Sequence, residues 1–146
     1  MTKLWLKKEN LKAALKAGNI YKKLPYENGF FDAVVSVQVI HHARINTIRK
    51  AIKEIKRILR PKGLIFITVR KFLPKKELLR LSQKKLIWKL KKIEPRTFIP
   101  LTGKEKGLVH YYFNKESLKK EFKAFKIHNI WVDSRGHYCL SGELKK

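Results

Sequence analysis

Acidic residues are scarce in this sequence: 11 Asp and Glu stand against 36 Lys and Arg, a formal net charge of +25 over 146 residues. A thermophilic surface would raise Lys and Glu together, and here the acids have not followed. The imbalance therefore points to a polyanionic partner, nucleic acid first, although an acidic protein or anionic lipid fits the same charge. Cysteine is nearly absent. Cys139 stands alone, which excludes an intramolecular disulfide and a cysteine metal cluster and suits a reducing compartment. No apolar run approaches the roughly 18 to 20 residues of a membrane span, and the charged N-terminus is no secretory signal, so a soluble, cytoplasmic protein is expected. Glycine is thinly spread, at 18, 29, 63, 103, 107, 136 and 142. No two are separated by a single residue, so no G-x-G cofactor loop can be written.

What is present suffices for a core: 44% of residues are apolar, with 8 Phe, 5 Tyr and 3 Trp, and the length fits one domain over 1–146. Leu11, Ala14 and Leu15 at helical spacing before Gly18 predict a short helix over 9–17. Leu24-Pro25-Tyr26-Glu27-Asn28-Gly29 reads as a turn. Phe30 to Ile40 is β-branched and almost continuously apolar, the pattern of a central parallel strand covered on both faces. Ile45, Ile48, Ile52, Ile55 and Leu59 predict an amphipathic helix over 45–60, stopped by Arg60-Pro61-Lys62-Gly63. Leu64 to Val69 is a second buried strand, so strand, helix and strand form a right-handed parallel crossover and the class is α/β. A lysine-faced helix is expected over 75–92, then a loop bracketed by Pro95 and Pro100. Its pattern suits a helix whose apolar side covers the sheet and whose basic side faces RNA, or one lying on a membrane surface. Asn114 should cap a helix over 115–123, with Phe113 and Leu118 as a hydrophobic staple. Phe125–Asp133 and Tyr138–Leu144 should close the chain as an antiparallel hairpin with Tyr138, Leu140 and Leu144 inward.

Residues 18–70, with GNIYKKLPYENGFFDAVVSVQVIHH, a helix and EIKRILRPKGLIFITV, resemble the second half of a class I S-adenosylmethionine (SAM) methyltransferase, of the methyltransferase type 11 kind. Members of that family carry a GD-x-x-x-LP turn, to which Gly18-Asn19 and Leu24-Pro25 correspond here; shared outright are an FDAV fourth strand ending in a histidine pair and an R-x-L-x-P-x-G helix end before the fifth strand. Arg96-Thr97-Phe98-Ile99-Pro100, His110-Tyr111-Tyr112-Phe113, Val132-Asp133 and His137-Tyr138-Cys139 are more loosely similar to the tRNA wobble-uridine methyltransferases, which esterify a 5-carboxymethyl group. The resemblance implies a partial Rossmann-like sheet, SAM as cofactor, and tRNA or another RNA as substrate.

Departures from that pattern carry their own implications. The glycine loop that approaches the methionine part of SAM, and the acidic residue that holds its ribose, are not in this sequence. The family's sheet order, 3-2-1-4-5-7-6, then leaves the fourth strand with an unpaired edge that invites a second chain or self-association. A noncatalytic RNA-binding or partner subunit of a split methyltransferase is thus the alternative to an enzyme. Asn19 replaces the aspartate that contacts adenine, and its amide oxygen still accepts a hydrogen bond. Lys62 replaces the first glycine of a P-G-G turn, where a positive φ carries a modest cost.

By that resemblance Asn19, Ile20, Ser36, Val37 and Gln38 are the cofactor-side residues, with ordinary strand packing as the alternative for the last three. His41 would line the substrate mouth beyond the fourth strand, or be a structural histidine. Asp133 with His137 reads either as a catalytic pair or as a hairpin aspartate satisfying backbone N–H groups. Arg44, Arg70, Lys71, Arg96 and Lys104 would hold phosphates, and His110, Tyr111 and Tyr112 would stack a base, unless a tyrosine packs in the core. No metal site is expected: adjacent His41 and His42 on a strand end would point to opposite sides, and no Asp or Glu follows them before Glu54.

Overall fold

A computed structural model describes residues 2–72 and 90–146. Its centre is a four-stranded sheet of β1 (Phe31–Val37), β2 (Leu59–Arg70), β6 (Phe125–Val132) and β7 (His137–Leu144), ordered β1-β2-β7-β6. β1 and β2 run parallel, with Val35 opposite Phe66 and Ser36 opposite Ile67, and α2 (Ile45–Ile58) makes the crossover between them. β7 pairs antiparallel with both β2 and β6. The expected parallel pair and closing hairpin are both present.

One face of this sheet carries the core. Ile65, Ile67, Val69, Leu140 and Leu144 pack under Ile48, Ala51, Ile52 and Ile55 of α2. Leu118 of α3 (Lys115–Glu121) joins them with Phe113, Phe122 and Phe125. Asn114 caps α3 as anticipated: its side chain accepts from Ser117 N–H at 2.9 Å while Ser117 Oγ accepts from Asn114 N–H at 3.0 Å. Phe113 and Leu118 of the staple are both fully buried.

The opposite face holds the main correction. Far from being a central strand covered on both sides, β1 is the outer strand of the sheet formed by the described residues, and Val35 and Val37 remain 66% and 56% exposed. An all-apolar run cannot say whether its cover lies within the same chain. The strand is also shorter than the run, because Gln38 turns into the left-handed region (φ 57) and donates its N–H to Thr68 Oγ1 at 2.9 Å.

Two helices differ from expectation. The first is α1 (Thr2–Lys8), and residues 11–19 have no regular structure. Asn10 at φ 51 ends α1 with paired bonds, Leu11 N–H to Leu6 O at 2.8 Å and Asn10 N–H to Lys7 O at 3.2 Å, the pattern of a Schellman cap. Leu11 and Leu15 are exposed, and a short amphipathic helix gains little without packing. Of the helix expected over 75–92, residues 75–89 lie outside the described residues, and 90–92 belong to a strand. β3 (Leu90–Glu94) and β4 (Thr97–Pro100) make a hairpin where a loop was expected, turning at Arg96 (φ 59). β5 (His110–Tyr111) completes this three-stranded sheet. Lys62 does adopt a positive φ, 60°.

Candidate functional site

The small sheet is stitched onto the C-terminal end of the parallel pair. Tyr111 donates its N–H to His41 O at 2.8 Å, Phe113 donates to Arg70 O at 2.9 Å, and Phe72 donates to Phe113 O at 2.6 Å. These bonds bring His110 of β5 against the segment that follows β1. His41 and His42 do not diverge, because the strand has already ended at Val37. In the turn that follows, their rings lie 4.2 Å apart, and His110 sits 5.7 Å from His41 and 4.5 Å from His42. The expectation of opposite directions assumed a strand that the left-handed Gln38 interrupts.

His41 and His110 are fully buried, and neither ring nitrogen of either residue has a hydrogen-bond partner among the described residues; His42 Nδ1 likewise has none. Burial, then the neighbouring His42, His110, Arg70 and His137, lowers the His41 pKa to about 2. Burial and then Arg70 and His42 lower that of His110 to about 4, with Glu105 opposing. Both rings are therefore neutral at physiological pH. Glu105 accepts a hydrogen bond from Arg70 and lies 3.7 Å from His110 Nε2.

Arg70 faces His137 in the β2–β7 register, which sets the Asp133–His137 turn at this same end of the sheet. Asp133 Oδ1 accepts from the N–H groups of Arg135 (2.9 Å) and His137 (2.8 Å), and Oδ2 lies 3.2 Å from His137 Nδ1. Hydrogen bonds from His137 hold the Asp133 carboxyl below its ordinary range, backbone first. The hairpin role and the paired geometry coexist.

On the other flank, the Tyr21 hydroxyl donates to Val39 O and Ile40 O at 3.3 and 3.4 Å, fixing the Asn19–Tyr21 turn beside the end of β1. Asn19 Oδ1 accepts from Tyr21 N–H at 2.9 Å. Ile20, Ser36 and Gln38 are half-buried while Val37 is exposed.

The residues expected to meet RNA divide. Lys104 and Arg44 are exposed, although Arg44 Nη1 bonds Glu94 Oε1 at 2.5 Å. Arg70, Lys71 and Arg96 are half-buried, and Arg96 Nη1 donates to Asn114 Oδ1 at 2.7 Å. His110 and Tyr111 are buried and cannot stack on an outside base; Tyr111 packs edge-on against Phe113 at 4.7 Å. Only half-buried Tyr112, beside Phe98 at 5.4 Å, keeps an accessible edge. Sequence reading also missed a basic cleft lined by Lys22, Lys23, Lys50, Lys53 and Lys56 around the Glu54–Arg57 pair. Its signal was the lysine spacing on the outer side of the helix.

A parallel pair with a right-handed crossover, a turn fixed beside the first strand's end and an antiparallel hairpin last define one half of a Rossmann-like methyltransferase sheet. Residues 1–67 match the family model described as a methyltransferase domain. The fold is the one shared by class I SAM-dependent methyltransferases. Over 47 residues it is 45% identical to a tRNA (carboxymethyluridine(34)-5-O)-methyltransferase of Arabidopsis thaliana, an alignment covering 32% of this chain and 12% of that protein. A solved Pyrococcus horikoshii protein superposes with a TM-score of 0.75 at 19% identity, over 98% of this chain and 65% of that one. A Burkholderia thailandensis 1,6-didemethyltoxoflavin-N1-methyltransferase with bound S-adenosylhomocysteine superposes at 0.70 and 11% identity, over 99% and 56%. The chain thus spans less than two thirds of the length of these relatives.

SAM is the cofactor of this class, and the residues that the resemblance sets toward it, Asn19, Ile20, Ser36, Val37 and Gln38, lie at the end of β1 and in the turn beside it. The Asn19–Tyr21 turn lies beside the end of β1, held there by the Tyr21 hydroxyl. No G-x-G glycine loop can be written among the 146 residues.

Proposed function

We propose that this chain is the acceptor-side half of a SAM-dependent methyltransferase whose substrate is a carboxylate on the wobble uridine of tRNA. One observation carries the reading: Arg70 and the neutral pair His41 and His110 converge beyond the C-terminal end of the parallel strands, where open α/β sheets bind ligands. The partial identity to a tRNA carboxymethyluridine methyltransferase supports the substrate class. A carboxylate acceptor is ionised at neutral pH, so this end of the sheet needs to orient it and exclude water rather than remove a proton. Arg70 and His137 are the groups suited to hold it, with Asp133 orienting His137. SAM, when bound, supplies a methyl group already activated by its sulfonium. The net charge of +25, the basic cleft beside Arg57 and exposed Lys104 suit the tRNA backbone.

Radiolabelled methyl transfer to tRNA bearing 5-carboxymethyluridine, released again by mild base as an ester should be, tests the reading. Transfer to tRNA lacking that carboxylate, or RNA affinity insensitive to salt where a log-log slope of several units is expected, would remove it. The bare edge of β1 favours a second reading, a noncatalytic partner subunit docked on a chain that carries the glycine loop. Native mass spectrometry showing only monomer, together with SAM binding by the chain unaided, would favour the enzyme instead.

A further inference from the structure

We propose that His41, His42 and His110 form a binding site for one divalent transition-metal ion of the zinc class. One ligand nitrogen from each of the three residues lies within 4.8 Å of the others. Five of their six ring nitrogens find no hydrogen-bond partner among the described residues, although buried polar groups are almost always paired. A neutral imidazole has one donor and one acceptor nitrogen to satisfy, and three facing rings with free lone pairs are a donor set looking for an ion. The donors are imidazole only, with no thiolate or carboxylate among the three, which suits Zn²⁺, Co²⁺ or Ni²⁺ and not Mg²⁺ or Ca²⁺.

Geometry and charge both allow it. Ligands of a tetrahedral ion with bonds of about 2.1 Å stand roughly 3.4 Å apart, so the cluster must tighten. His42 can do this, since it is the half-buried member and its ring already lies between the other two. The net positive charge does not forbid a cation, because exposed charges beyond about 10 Å are screened. Arg70, whose charge bears on His41 and His110, is paired with Glu105. That carboxylate, 3.7 Å from His110 Nε2, also stands where an orienting carboxylate behind a metal-bound histidine would be. Three protein ligands leave a fourth position open.

The site shares His41 and His110 with the proposed acceptor end of the sheet, but it stands on their geometry rather than on methyl transfer, and its test reads metal alone. The full chain without a polyhistidine tag, freed of metal by chelation, is titrated with Co²⁺ and then Zn²⁺. One equivalent should bind, giving the visible absorption of four-coordinate cobalt, and Zn²⁺ should displace it and raise the melting temperature. His42→Ala should lose at least tenfold in affinity. His128→Ala, on β6 and 41% exposed, should bind as the wild type does. His110→Gln tests the buried ligand, and should that variant fail to fold, His42→Ala decides, because His42 is the one of the three that is not fully buried. Absence of stoichiometric binding by the wild type, or unchanged binding by the folded His42→Ala variant, would overturn the proposal.

Discussion

The two faces of the four-stranded sheet are built from the same kinds of residue and end in opposite environments. Toward α2 and α3, Ile67 and Leu140 are fully buried, whereas on the reverse Val35, Leu64 and Trp131 are 66%, 51% and 43% exposed. Alternation along each strand makes this split unavoidable, since neighbouring residues point to opposite sides. A monomer rarely leaves such a run of Val, Leu and Trp uncovered. The difference teaches that the residues were composed for a sheet with two covered faces, while the described residues cover one. The bare face and the free edge of β1 adjoin, so whatever pairs with that edge would also cover that face.

The largest effect that could break this comparison is in the core. Leu140→Ala should lower unfolding free energy by about 2–5 kcal/mol in urea denaturation, through lost transfer energy and a cavity. Trp131→Ala, one position past Leu140's partner Ile130 on the facing strand and so on the bare side, should cost less than about 1 kcal/mol. Equal losses would mean that the outer face is covered in solution, and a concentration dependence of the Trp131 effect would identify the cover as another chain.

Acid should act on the covered side. Glu54 of α2 accepts from Leu24 N–H at 2.7 Å and pairs with Arg57, tying the turn before β1 to the helix. Its hydrogen bond from Arg57 is the main cause of a pKa lowered to about 2. A carboxyl depressed in the folded state contributes stability that is complete above its unfolded pKa, near 4.5, and is lost as pH falls toward 2. Discounted for partial solvation, the loss should be on the order of 1 kcal/mol. Glu54→Gln should flatten that limb of a stability–pH curve. A limb unchanged in the variant would place the acid sensitivity elsewhere.

Elements whose signals are local were legible in the sequence. The cap at Asn114, the crossover over Phe31–Arg70 and the hairpin ending at Leu144 depend on neighbours a few residues apart, and all three stand where expected. The parallel pairing also followed from pattern, since two apolar runs joined by an amphipathic helix have few other arrangements. What was not legible depends on distant partners. Nothing near His110 indicates that Tyr111 N–H will reach His41 O, so a base-stacking surface was expected where the structure buries a cluster. The apolar run of β1 specified two covers without saying whose. The helix expected over 9–17 failed for the same reason: Leu11 and Leu15 have helical spacing but nothing to lie against.

The smallest effect sharpens the comparison at the seam between helix and sheet. Lys62 holds φ 60 in a tight turn inside β2, where its register with β1 shifts, and Gly63 beside it is held close: a Cβ there would meet Arg60 O at 2.8 Å and Asp32 O at 3.2 Å. A side chain in the left-handed region costs about 1 kcal/mol. Replacing it with glycine relieves that strain but loosens the unfolded chain by a similar amount. Lys62→Gly should therefore change stability by less than about 0.5 kcal/mol, whereas Gly63→Ala forces Cβ into backbone and should cost several times more. A large gain from Lys62→Gly would mean that the turn, rather than the uncovered face, is the chief source of strain in this half-sheet.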